Sequence, residues 1–235
     1  HLRRCVADPA GTHLALDTEF EEKAGGADES EIVVAGGSQS PITRVNGAND
    51  GLTGWTVPYR QPYIAYIEQL LAGVSAAQSW IWCWNKYADL DHLNAAGHTV
   101  DNAITVDTMW LWHYLQSDLP RGLGFVAAMS SDFGPWKHWG KVREKEGVYA
   151  AADGVQTWRT AMWLLRAAQQ QGIWDLFLTD WHERDVYVLR PAYEQGVPAS
   201  RARLEAFHAE LQVKLANVLV RLKETAAQGV LKPVV

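Results

Sequence analysis

Residues 12–20, THLALDTEF, form an apolar strand that ends in two acids. Side chains at i and i+2 leave the same face of a strand, so Asp17 and Glu19 stand side by side after Leu14 and Leu16. Two ionised carboxylates about 4 Å apart repel by roughly 4 kcal/mol at an effective dielectric of about 20. Either the pair lies in water at a strand end, or something compensates it: a raised pKa or bound cations. A buried strand also needs partners, and the rest of the chain supplies candidates.

Residues 31–36, EIVVAG, read as a second strand, with Gly36-Gly37 as its turn. A third is expected over Ile42–Val45, and the Gly-, Asn- and Asp-rich stretch from Asn46 to Gly54 reads as loop. A helix is predicted over residues 60–72, with Ile64, Ile67, Leu70 and Leu71 on one face and Gly73 as its stop. Residues 79–84, SWIWCW, suit a buried strand. A helix from about Tyr87 to Ala96, a short strand over Ile104–Val106 and an N-cap at Asp107 ahead of TMWLWHYLQ follow. A short helix near Gly122–Met129, the loop DFGPWKHWGKVREKEG and a long helix from about Val148 to Gln170, closed by Gly172, complete the pattern. Strands first, then strands mixed with helices, describe an α/β domain.

The tail differs. Residues 174–196 read as helical only in pieces, and Ser200 can cap a helix to about Thr225. There Leu204, Phe207, Leu211, Leu215, Val218 and Leu222 recur at spacings of three and four, an amphipathic face that needs a partner surface. The expected division is 1–172 for the α/β domain and 173–235 for a helical extension.

The chain is 48% apolar, which excludes disorder throughout, and its net charge is −6. That balance argues against a clamp that holds nucleic acid by charge alone. It is compatible with clustered carboxylates that bind divalent cations, because a bound cation reverses the local sign. Cys5 and Cys83 form no metal-type pair, and the simpler reading is a reducing compartment. No apolar run reaches membrane-span length and no signal-peptide pattern opens the chain, so a cytoplasmic protein with no membrane partner is expected. A chain beginning at His1 reads as one part of a larger protein. The twelve Trp serve packing or base stacking, and composition does not choose between them.

Two further acidic positions stand out. Tyr149 and Asp153, in YAAAD, share a helix face, and the three alanines between them allow that helix to approach another surface closely. Asn85 and Asp89 lie in WCWNKYADLDHL, just after an apolar run, with Asp91 as a nearby competitor for the same role. A helix N-terminal carboxylate is the plain alternative for Asp89, and a surface Asp beside a core Tyr is the plain alternative for the other pair.

The order D-x-E on a first strand, N-x-x-x-D after a later strand and Y-x-x-x-D on a late helix resembles the three motifs of the DnaQ-like exonuclease superfamily, in its tyrosine (DEDDy) branch. The match is ordered over roughly residues 12–160. Between the motifs, DTMWLWHYLQSDLPRGLGFVAAMSSDFGPWKHWGK resembles the corresponding segment in proofreading domains of phage and bacterial family A DNA polymerases. The tail YEQGVPASRARLEAFHAEL resembles the helical linker toward the polymerase thumb, and no palm or fingers sequence follows. The sequence departs from the family at Ala88, where an aromatic is common, and at Trp84, where a small residue or His is common.

The resemblance implies a ribonuclease H-like mixed sheet flanked by helices. It implies a 3′–5′ exonuclease acting on a single-stranded or frayed DNA 3′ end, with two divalent cations, Mg²⁺ or Mn²⁺, and a polymerase domain as the partner in a longer chain. Asp17 would bridge both cations. Glu19 and Asp153 would hold the one that carries the attacking water, Asp89 would support the second, and Tyr149 would orient the water. Thr18 would lend its backbone near the terminal nucleotide. Phe20 is either a stacking wall or, the commoner outcome, a buried strand aromatic. Asn85 either positions a phosphate or caps the next helix. Lys137 and Lys141, with His138, Arg143 and Lys145, make a basic stretch interleaved with Trp136 and Trp139, the pattern of a single-strand binder or of a solvated loop with packed tryptophans. His13, His92, His113 and His208 show no ligand spacing and read as structural or surface. An RNA-trimming exonuclease would use the same acids, and a non-catalytic DNA-end-binding module would be expected to have lost them.

Overall fold

The computed structural model describes residues 13–21, 41–196, 198 and 200–227. The strand expected over 31–36 lies outside them. Among the described residues the fold is α/β, with a five-stranded sheet in the order β3-β2-β1-β4-β5. The strands are β1 (Leu14–Phe20), β2 (Ile42–Ala48), β3 (Gly54–Pro58), β4 (Ile81–Cys83) and β5 (Thr105–Asp107). β1 to β3 form an antiparallel meander, while β4 and β5 run parallel to β1. This mixed sheet, flanked by helices, is consistent with the ribonuclease H-like arrangement.

The sheet corrects the loop expected from Asn46 to Gly54. β2 continues through Ala48, and β3 begins at Gly54 after a turn in which the Asp50 carboxylate accepts the amides of Leu52 and Thr53. The Gly and Asn there are strand residues for reasons of space and partnership. A Cβ on Gly47 would lie 2.5 Å from the Trp55 ring and 2.6 Å from the Ala15 carbonyl oxygen, so no larger residue fits.

Helices cover both faces of the sheet. α1 (Tyr63–Ala76) and α2 (Lys86–Ala95) pack Ile67, Leu70, Leu71, Val74, Leu90 and Leu93 against Leu14, Leu16 and Val45. α1 runs past Gly73, where a stop was expected, because the next turn buries Val74 completely. On the other cluster, Trp82 and Val106 meet α3 (Thr108–Leu115) through Leu111 and Trp112, and α5 (Glu146–Gln170) through Ala161, Leu164 and Ala168. Each fully buried Leu or Ile contributes roughly 1.5–3 kcal/mol relative to exposure. Asp107 caps α3 as predicted, its carboxylate accepting the Met109 and Trp110 amides. α4 (Leu123–Ser130) and two short 3₁₀ turns, Lys137–Lys141 and Arg143–Lys145, lead into α5.

The first compact unit extends to Pro191, beyond the boundary expected at 172. After α6 (Trp174–Phe177) come two π-helical turns, Leu178–His182 and Asp185–Leu189. Phe177 is fully buried in the Trp82 cluster, with Trp174, Leu178 and Trp181 packed around it. Farther on, Asp185 forms a buried ion pair with Lys86 (2.5 Å), and Arg190, at the start of α7 (Arg190–Gln195), pairs with Asp91 (2.6 Å). The second unit starts at Ala192 and carries α8 (Arg201–Ala227). The Ser200 hydroxyl accepts the Arg203 amide at its N-terminus, and the stripe from Leu204 to Leu222 is exposed. No helix of the described residues is long and apolar enough to cross a membrane.

Candidate metal centre

β1 and α5 build the site together. Asp17 and Glu19 project from one face of β1, and Asp153 reaches them from α5. Carboxylate oxygens of all three lie within 4.8 Å of one another. The approach depends on missing side chains. A Cβ on Gly154 would meet the Gly47 backbone at 2.9 Å, and one on Gly54 would meet the Ala151 carbonyl oxygen at 2.2 Å. The small Ala150, Ala151 and Ala152 extend this close contact, as the sequence led one to expect.

Asp89 occupies the first turn of α2 and is buried beside β1. Its Oδ1 accepts both the Thr18 amide and the Thr18 hydroxyl at 2.8 Å. Thr18 therefore anchors Asp89, and its N–H is taken. Lys86 holds the start of α2 in place. Its ammonium donates to Asn102 Oδ1 (2.7 Å) and to the Thr105 carbonyl (3.2 Å), and its own amide donates to Asp107 Oδ2. Asp91 is committed to Arg190, which leaves Asp89 as the acid beside β1.

The electrostatics fit a cation site. Burial, then the charges of Asp89, Asp153 and Glu19, push the Asp17 carboxyl well above the ordinary range. Glu19 is raised to about 7, chiefly by burial and then by Asp153. Burial also raises Asp89, against the opposing effect of its Thr18 hydrogen bonds. Such a cluster is costly unless positive charge joins it. An all-carboxylate donor set of hard oxygens could hold a metal ion.

The Pro-Trp-Lys segment closes over Asp153. Trp136 is buried and its indole N–H donates to Asp153 Oδ1 (2.7 Å); it packs and positions, and offers no stacking face to a strand. The Lys137 ammonium reaches the same oxygen at 2.6 Å, lies 3.5 Å from the Tyr149 hydroxyl and sits over the rings of Trp136 and Tyr149. Lys141 ends the 3₁₀ turn that carries Lys137. Tyr149 is half-buried, one turn before Asp153, and burial followed by the Asp153 charge raises its phenol further above the ordinary value.

Phe20 departs from the buried strand aromatic that is the commoner outcome. It is 39% exposed and stacks face to face on His92, with ring centroids 3.9 Å apart. Asn85 takes a left-handed conformation (φ 63°) at the start of α2, is exposed, and makes no side-chain cap hydrogen bond.

Asn46 is the participant that sequence reasoning missed. It is fully buried, and its amide donates to Asp17 Oδ2 (2.9 Å) and Glu19 Oε1 (3.3 Å). Its loop-like neighbours hid it; the signal was its alternation with Arg44 on a strand that continues the alternation of Ile42–Val45.

No protein-family model matches this chain, and no curated protein sequence matches it.

Proposed function

We propose that this chain is a metal-dependent 3′–5′ exonuclease that hydrolyses the terminal phosphodiester of a DNA strand and releases nucleoside 5′-monophosphates. The observation that carries the reading is the convergence of Asp17, Glu19 and Asp153 from a strand and a helix far apart in sequence, with the Asp89 charge close enough to act on Asp17. These are the acids that the three ordered motifs single out, in the tyrosine form of the superfamily they resemble.

Asp17, Glu19 and Asp153, with Asp89 beside them, would hold an Mg²⁺ or Mn²⁺ pair. When bound, such cations lower the pKa of a water and neutralise charge gathering on the phosphate. The chain's own groups do the rest. The Tyr149 phenol keeps its proton at neutral pH, so it orients an attacking water by hydrogen bonding and does not serve as a base. The Lys137 ammonium, paired with Asp153 and partly exposed, adds positive charge where a phosphate would arrive. The exposed Phe20 ring, backed by His92, offers a flat surface to a terminal base. The tail that resembles a polymerase linker favours DNA, with proofreading for a polymerase in a longer chain as the setting.

Chromatography of the products from a short single-stranded DNA tests the chemistry. Nucleoside 5′-monophosphates should accumulate with Mg²⁺ or Mn²⁺, and neither EDTA-treated protein nor Asp153→Asn should release them. Nucleoside 3′-monophosphates, or equal release by the variant, would sink the assignment.

A further inference from the structure

Cross-strand register puts Asp17, Asn46 and Thr56 in one row across β1, β2 and β3. In this row the Asn46 amide bridges the two β1 carboxylates. An amide can face either way, and here its orientation is set from the far side. The Thr56 hydroxyl donates to Asn46 Oδ1 at 2.7 Å. Arg44 Nε–H in turn donates to Thr56 Oγ1 at 3.0 Å, which directs the hydroxyl hydrogen toward Asn46. Arg44 is itself opposite Glu19 in the register, and its guanidinium packs beside Gly147 at the start of α5.

We propose that Asn46, oriented by Arg44 and Thr56, is a positioning residue that holds Asp17 and Glu19 together as one preformed cation-binding pair. This rests on the reading that the acidic cluster binds divalent cations. The residue type suits the task. A Lys or Arg at this position would supply the charge that the cation must bring, and would compete with it. An Asp would add another like charge to a cluster already short of positive charge. A neutral amide donates to both carboxylates and leaves their net charge intact. Partners behind metal ligands commonly govern affinity by about 10–100-fold.

Thr56 is the place to test the relay, because Asn46 stands between its hydroxyl and the two carboxylates. Mn²⁺ affinity of the full chain, measured by titration calorimetry without nucleic acid, should fall by about 10–100-fold in Thr56→Val. Thr56→Ser keeps the hydroxyl and should bind as the wild type does. Arg44→Met supplies a second reading that spares both the core and the ligands. Loss of a nearby positive charge would by itself tighten cation binding, so weaker binding in that variant reports the relay. Wild-type affinity in Thr56→Val, equal weakening in Thr56→Ser, or tighter binding in Arg44→Met would overturn the role of Asn46 and leave the cation site standing. Failure of the wild-type protein to bind Mn²⁺ would overturn both.

Discussion

Glu19 shows how a single residue records the demands of this site. Its carboxyl is raised from an ordinary value near 4.5 to about 7, by burial first and by Asp153 second. In the folded chain it therefore holds a proton that the unfolded chain has already released at mildly acidic pH. Its contribution to stability is complete below the unfolded pKa and is lost as pH rises through the folded one. Asp17 and Asp89, raised first by burial, act in the same direction. In the presence of a chelator, the melting temperature should fall between about pH 5 and about pH 8, and Mn²⁺ should restore it at the upper end far more than at the lower. Asp17→Asn removes one of the repelling charges and should raise the chelated protein's melting temperature near neutral pH. A flat profile, or a variant that melts lower, would contradict this account of the cluster.

At the scale of elements, the packing of α5 on the β1–β3 meander makes the site. Contact is possible because Gly154 lies on the Gly47 backbone, where a Cβ would come within 2.9 Å of another main chain. Backbone cannot yield as a flexible side chain does. Gly154→Ala should lower stability by about 1–3 kcal/mol, read from the urea midpoint, and should cut cleavage further than the stability loss explains, by displacing Asp153. An unchanged midpoint would mean that the helix has slack. The same elements mark what a sequence reader could reach. Strand β1, the cap at Asp107, the long helix and the acids on each were legible, because local periodicity and capping chemistry determine them. Asn46 and β3 were not. Gly, Asn and Asp signal loops by local preference, whereas here the close approach of Trp55 and Ala15 and the pairing with two acids place Gly47 and Asn46 in a strand. Trp136 stayed open between stacking and packing for a similar reason, since its partner Asp153 is 17 residues away and only the fold brings its indole N–H to that carboxylate.

Across the whole molecule, the proposed nucleic-acid substrate is reconciled with an acidic chain through the cluster of Asp17, Glu19 and Asp153. Net charge of −6 would repel a phosphate backbone, and the cluster adds to that repulsion until cations occupy it. Substrate binding and cation binding should therefore rise together. The first unit, to Pro191, contains every group that the proposed chemistry uses; its last turns hold α2 through Lys86 and Asp185, and with it Asp89. The second unit carries a helix with an exposed apolar stripe and none of these groups. A 5′-labelled single-stranded DNA incubated with the protein and Mg²⁺ or Mn²⁺, beside EDTA and Asp17→Ala controls, decides whether this chain is a 3′–5′ exonuclease. A ladder should shorten from the 3′ end and be absent from both controls. An intact strand under every condition, or a ladder that persists in Asp17→Ala, would contradict that assignment.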